Sequence, residues 1–88
     1  MPATATEPYA LDRLRGEGLI LIPAAADHIG TLLGYRPHEA TVRGWARRPF
    51  RRPDGVEVQL EVCALGKRLF TSRAACERLV HAMQPQGA

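Results

Sequence analysis

Eighty-eight residues with 45% apolar side chains suffice for one small domain with a thin core. The formal charge of +3 is uneven: nine basic and four acidic residues fall between Arg36 and Arg73, a net of +5, while the remainder carries three basic and five acidic, a net of −2. Such a basic middle favours a polyanion-facing surface over the blander reading of solvated arginines, and the two cysteines, Cys63 and Cys76, are too few for a disulfide framework.

No apolar run is long enough to cross a bilayer, so no membrane partner is expected. Met1 to Glu7 has neither the basic nor the apolar region of a secretory signal. The resulting expectation is a cytoplasmic protein with free thiols.

Met1 to Pro8 is rich in Ala, Thr and Pro and reads as disordered or frayed. Tyr9 to Arg15 allows one or two helical turns with Leu11 and Leu14 on one side, ended by Gly16 and Gly18. Leu19 to Ile22 is a short apolar run that either pairs as a strand or seats the next helix. Pro23 suits a first helical position. After it, Ala25, Ile29, Leu32 and Leu33 form one apolar helical face, which Gly34 stops. Pro37 pushes Arg36 out of the helical region, and a second helix is predicted from about His38 to Arg48, ended by Pro49. Val42, Trp45 and Ala46 are its buried side, with Trp45 a core residue rather than a stacking platform. Tyr35 is a turn residue, and Phe50 and Phe70 are expected to be core lids.

Pro53-Asp54-Gly55 is a turn. Val56, Val58, Leu60 and Val62 then alternate with Glu57, Gln59, Glu61 and Cys63, a strand period that predicts the three polar side chains on the outer face, towards solvent or a neighbouring subunit. Gly66-Lys67 fits a type II′ hairpin turn into a second strand, Arg68 to Thr71. Ser72 is a good N-cap for a final helix whose core face is Cys76, Leu79, Val80 and Met83. The order helix, turn, helix, β-hairpin, helix predicts an α+β fold, a winged helix-turn-helix. Its expected divisions are a flexible or partly helical segment over 1–18, the domain over 19–84 and a tail over 85–88.

Arg43, Arg47, Arg48, Arg51 and Arg52 fall within ten residues that contain no acid. On the predicted second helix, His38, Glu39, Thr41 and Arg43 occupy the first turns and outward face, from which a groove-bound helix reaches base edges. Arg43 suits a bidentate contact to guanine and Glu39 the cytosine amino group. Thr41 keeps two readings, a methyl against thymine or a partly buried hydrogen-bonder of its own helix. Gly44 lies mid-helix, either allowing close approach to a DNA backbone or as a tolerated defect. Arg47, Arg48, Arg51 and Arg52 suit phosphates, as do Arg36 and Arg73 at helix starts. Gly66, Lys67 and Arg68 form a small cationic wing tip suited to the flanking minor groove. For any single arginine, a merely solvated role is equally open.

The histidines and cysteines show no metal-binding spacing, and no serine or cysteine sits in a Gly-rich elbow. No metal, no cofactor and no enzymatic activity are expected.

Three pieces together resemble the small excisionase-like winged-helix proteins of phages and integrative elements, related in fold to the MerR-type DNA-binding domain. They are Ala25-Ala26 with Thr41-Val42 and Trp45, Leu60-Glu61-Val62 leading to Leu65-Gly66-Lys67-Arg68, and Thr71-Ser72-Arg73 before Ala75 and Leu79-Val80. The chain departs from the family in having Gly44, not a basic residue, before the tryptophan, and in its arginine-rich loop from Pro49 to Asp54. The resemblance implies a recombination directionality factor of the bacterial cytoplasm, on the nucleoid when bound. Such a factor binds and bends double-stranded attachment-site DNA cooperatively, associates with itself head to tail and directs a site-specific integrase towards excision. Promoter regulation is a close variant. The alternative from another class is a winged helix that binds a protein partner, such as an antiactivator.

Overall fold

Apolar spacing and chain breakers set the element order. The computed structural model describes residues 8–83; the expected frayed start before Pro8 and the polar tail after Met83 lie outside the described residues. Among those described, the fold is α+β, with four helices and small antiparallel sheets. The chain runs α1 (Pro8–Glu17), β1 (Leu19–Leu21), α2 (Ile22–Leu33), α3 (Glu39–Arg47), β2 (Phe50–Arg51), β3 (Glu57–Val58), β4 (Cys63–Leu65), β5 (Arg68–Ser72) and α4 (Arg73–Met83).

The first helix is longer than Tyr9 to Arg15, because Gly16 does not break it, and its Leu14 is fully buried. The apolar run after Gly18 is a strand. β1 pairs antiparallel with β5, placing Leu19 opposite Ser72 and Leu21 opposite Phe70, and β5 pairs with β4. The resulting order β1-β5-β4 makes the strand before the helix pair a sheet partner of the hairpin's second strand.

Ala25, Ala26 and Ile29 bury the inner face of α2, whereas Leu32 is 42% exposed, on the rim of the apolar stripe. Gly34 ends α2 at φ +91°, where its N–H donates to the Gly30 carbonyl at 2.9 Å, the left-handed termination for which glycine is suited. Gly30 allows the turn to fold back. A Cβ at this position would lie 3.0 Å from the Arg36 Cα, so backbone occupies the space a side chain would need. Pro37 is buried in the same turn.

The alternation from Val56 to Val62 marks burial but not continuous pairing. Val58, Leu60 and Val62 are buried, yet only Glu57–Val58 pairs, with Phe50–Arg51, and residues 59–62 run as irregular chain. Their polar groups are engaged elsewhere. The Leu60 N–H donates to the Trp45 carbonyl at 3.0 Å, and the Gln59 amide donates to the Ala46 carbonyl at 2.6 Å. These are carbonyls that the last turn of α3 leaves without helical partners. The Glu61 carbonyl accepts from the Thr71 hydroxyl. The segment therefore caps a helix instead of extending a sheet.

Gly66-Lys67 is the two-residue hairpin loop, with Leu65 opposite Arg68. Gly66 has φ +65° and Lys67 does not enter positive φ, as a type II′ turn requires. Ser72 caps α4, its hydroxyl oxygen accepting from the Ala75 N–H at 2.9 Å and the hydroxyl donating to Glu17 at 2.7 Å. Trp45, Phe70 and Met83 pack on the core half-buried; Phe50 and Tyr35 are exposed, so Phe50 is no core lid.

Glu61 is not an outward-facing surface carboxylate. Arg78 donates two hydrogen bonds to it, each of 2.8 Å, and two more to Glu17 at 2.8 and 3.1 Å, while Arg13 lies 2.7 Å from Glu61. The network ties α1, the segment before β4 and α4 together. Arg78, with help from Ser72 and Arg13, holds the Glu17 carboxyl below its ordinary 4.5. Burial pushes Glu61 up, but Arg78 and Arg13 together outweigh it and leave it lowered as well. A carboxylate whose folded pKa is depressed contributes stability that is present above its unfolded pKa and lost as pH falls through the folded one. Urea midpoints are therefore expected to hold down to about pH 4.5 and to fall steadily below it, and Arg78→Gln should remove much of that acid limb. An Arg78→Gln curve parallel to wild type below pH 4.5 would contradict the assignment.

Candidate nucleic-acid interface

His38 is the N-cap of α3. The Ala40 N–H donates to its Nδ1 at 3.0 Å, and the His38 carbonyl accepts from the Thr41 and Val42 N–H groups. Its ring thus fixes the start of the helix. Thr41 is exposed, and His38 performs the capping. Val42 and Ala46 face the core, with half-buried Trp45 packed against it, so the opposite side of α3 faces out.

On that side Ala40, Arg43, Gly44, Arg47 and Arg48 line one open depression. Glu39 lies between two guanidinium groups, 3.5 Å from Arg36 and 3.8 Å from Arg43, and its charge suits the first turn of a helix. Arg36 is also paired with Asp27 and donates to the Pro23 carbonyl at 3.3 Å. Arg36 therefore braces α2 against the start of α3 while remaining exposed. Arg47 and Arg48 are exposed and, among the described residues, have no carboxylate within ion-pair distance.

Among the described residues, Gly44 has no intramolecular reason to be glycine. A Cβ there meets none of them within 4 Å, and its φ is not positive. Mid-helix glycine costs about 1 kcal/mol relative to alanine. Gly44→Ala is expected to raise stability by about 0.5–1 kcal/mol in urea titrations. If the bare backbone is kept for a close-lying partner, the same variant binds duplex DNA more weakly. A variant that is more stable and binds equally well would make Gly44 a tolerated defect.

The loop arginines divide. Arg51 is exposed and lies 3.2 Å from Glu57 across the β2–β3 pair. Arg52, expected at a phosphate, is instead only 6% exposed. Its guanidinium donates to both oxygens of Asp54 and, at 2.8 Å, to the Ala82 carbonyl near the end of α4. Asp54 also accepts from the Val56 N–H, and Arg52 chiefly holds its carboxyl below the ordinary range. The side chain clamps the β2–β3 turn to α4 and is removed from the surface set. Its pattern in sequence, arginine two residues before an Asp-Gly turn, is the signal that separates it from its neighbours.

Lys67 and Arg68 are exposed at the hairpin tip with Gly66, and Arg73 is exposed at the first position of α4. The principal neighbours of α3 are in α2, and those of β5 in β1, β4 and α2. The sequence-predicted cations thus stand on separate elements, with Arg43, Arg47 and Arg48 brought together on α3 and its C-cap, beside Gly44.

Burial raises both thiols, Cys76 to about 11, so neither is poised as a nucleophile. Among the described residues no cluster of His, Cys, Asp or Glu is arranged to hold a metal ion, and no helix is long and apolar enough to cross a membrane. Compared with protein-family models, curated proteins and solved structures, the chain matches none.

Proposed function

We propose that the chain is a winged helix-turn-helix DNA-binding protein of the excisionase type, a recombination directionality factor of a mobile element. It binds and bends attachment-site DNA and steers an integrase towards excision. The observation that carries the reading is the outer face of α3, where Arg47 and Arg48 stand, among the described residues, without acidic partners beside Gly44 and Arg43. Support for the wing comes from the β1-β5-β4 order, in which the sheet anchors the hairpin and leaves Gly66-Lys67 exposed at its tip.

In this reading α3 enters the major groove, Arg43 contacts a guanine edge, and Arg47 and Arg48 hold flanking phosphates. Thr41 presents its methyl to the same groove. Glu39, half-buried between Arg36 and Arg43, orients Arg43 as well as offering an acceptor. Lys67 and Arg68 follow the neighbouring minor groove or its phosphates. Self-association in tandem on DNA does not draw on Glu57 and Glu61, because Arg51, Arg78 and Arg13 already neutralise them.

The test is a fluorescence-anisotropy titration at two salt concentrations. One duplex carries the region flanking the protein's own gene and the nearest integrase attachment site; the other is its scrambled counterpart. Tight stepwise binding to the first alone is the expected result, and excision with the integrase is then the next assay. Equal, salt-sensitive binding to both reduces the role to non-specific architecture. No binding to either at low salt overturns the reading and leaves a protein partner as the target of that basic face.

A further inference from the structure

The arginines and lysines of this chain fall into two sets. Arg13, Arg36, Arg43, Arg51, Arg52 and Arg78 each have a carboxylate within ion-pair distance. Among the described residues, Arg15, Arg47, Arg48, Lys67, Arg68 and Arg73 have none. Five of this second set lie on α3, at the hairpin or at the start of α4. Arg15 lies on α1, outside the helix pair and outside the hairpin.

Its position is not that of an isolated surface arginine. Leu14 is fully buried, and the flanking arginines leave the helix in different directions. Arg13 reaches Glu61 and the Arg78 network, whereas Arg15, two residues on, falls on another side of α1, as helical spacing requires. The end of α1 packs at the root of the hairpin: Glu17 accepts from the Ser72 hydroxyl at the end of β5 at 2.7 Å, Arg13 lies 2.7 Å from Glu61, two residues before β4, and α1 contacts both strands. β4 is an edge strand. From Cys63 to the Gly66 tip is three residues, about 10 Å at strand rise. Ala64, Leu65, Gly66, Lys67 and Arg68 are all exposed along this path. α1 carries two carboxylates: Glu17 is held by Arg78 and Ser72, and Asp12, three residues before Arg15, makes no ion pair among the described residues.

We infer that Arg15 is a phosphate-binding residue, continuing the cationic edge of the hairpin from its tip to its root, so that α1 and the wing together grip a nucleic-acid backbone. The inference rests on the DNA-binding reading and adds to it a contact from outside the helix pair. A competing structural role exists, since a cation in the last turn of a helix favours the helix dipole. That role affects stability and leaves the salt dependence of binding alone.

The experiment measures duplex affinity by anisotropy between about 50 and 200 mM salt for wild type, Arg15→Ala and Arg15→Lys, using the flanking-region and scrambled duplexes. Melting curves establish that each variant is folded. Each phosphate contact contributes about 0.9 to the slope of log K against log salt. Arg15→Ala is expected to flatten the slope by about that amount and to weaken both duplexes several-fold at about 100 mM, with Arg15→Lys retaining the wild-type slope. Wild type that binds with an unchanged slope in Arg15→Ala overturns this inference and leaves the reading of α3 standing. Wild type that binds neither duplex overturns both.

Discussion

The Arg47→Ala/Arg48→Ala double variant is expected to bind duplex DNA roughly 60-fold more weakly than wild type at about 0.1 M salt, with a slope of log K against log salt shallower by about 1.8. Each lost phosphate contact removes about 0.9 from the slope, and at about 0.1 M that exponent corresponds to nearly a factor of ten per contact. The two side chains are exposed at the end of α3 and on its C-cap, so the variant should fold as wild type does. Arg52→Ala is the control. Arg52 is buried against Asp54 and the Ala82 carbonyl, so its loss should lower the melting temperature and leave the salt slope unchanged. Had all the loop arginines served the same purpose, the two variants would behave alike. A double variant with wild-type slope would remove α3 from the interface.

Leu60→Ala is expected to cost about 2–5 kcal/mol of stability, read from urea midpoints at constant slope. Leu60 is fully buried in a core that includes the buried alanines Ala25, Ala26, Ala46 and Ala75, which can do little to fill the space left behind. For a chain of this size the loss is a sizeable part of a total of about 5–15 kcal/mol, so the urea midpoint should fall markedly. Val56→Ala, at the start of the same alternating run, removes a side chain that is 46% exposed and should change stability by less than about 0.5 kcal/mol. Equal effects at the two positions would contradict the burial pattern.

That run also shows what the sequence made legible. A period of two marks which side chains meet the core, and Val58, Leu60 and Val62 do. It carries no information about where the backbone N–H and C=O groups go. Here α3 ends with carbonyls that need donors, and Leu60 and Gln59 supply them, so most of the expected strand has no ladder. The Gly66 turn, the Ser72 cap and the Gly34 stop were readable because each depends on one residue's own chemistry. The fate of Glu61 was not, because its partner Arg78 is distant in sequence; that of Arg52 was half-readable, since Asp54 lies two residues on while Ala82 is distant. The pairing of Leu19–Leu21 was half-readable: its composition allowed a strand, and only the tertiary arrangement supplied β5. For the candidate site, the arginine density located α3, but the division into engaged and available cations required the carboxylates to be placed.

The two buried cysteines give the protein an internal clock. Cys63 opens the hairpin strand and Cys76 lies in α4, both shielded and held as thiols. A thiol-reactive dye in excess can label them only as often as their elements open, so labelling rates report local opening without any engineered probe. Mass spectrometry of the two peptides then times the hairpin and the last helix separately. Adding duplex DNA shows which of them the complex slows.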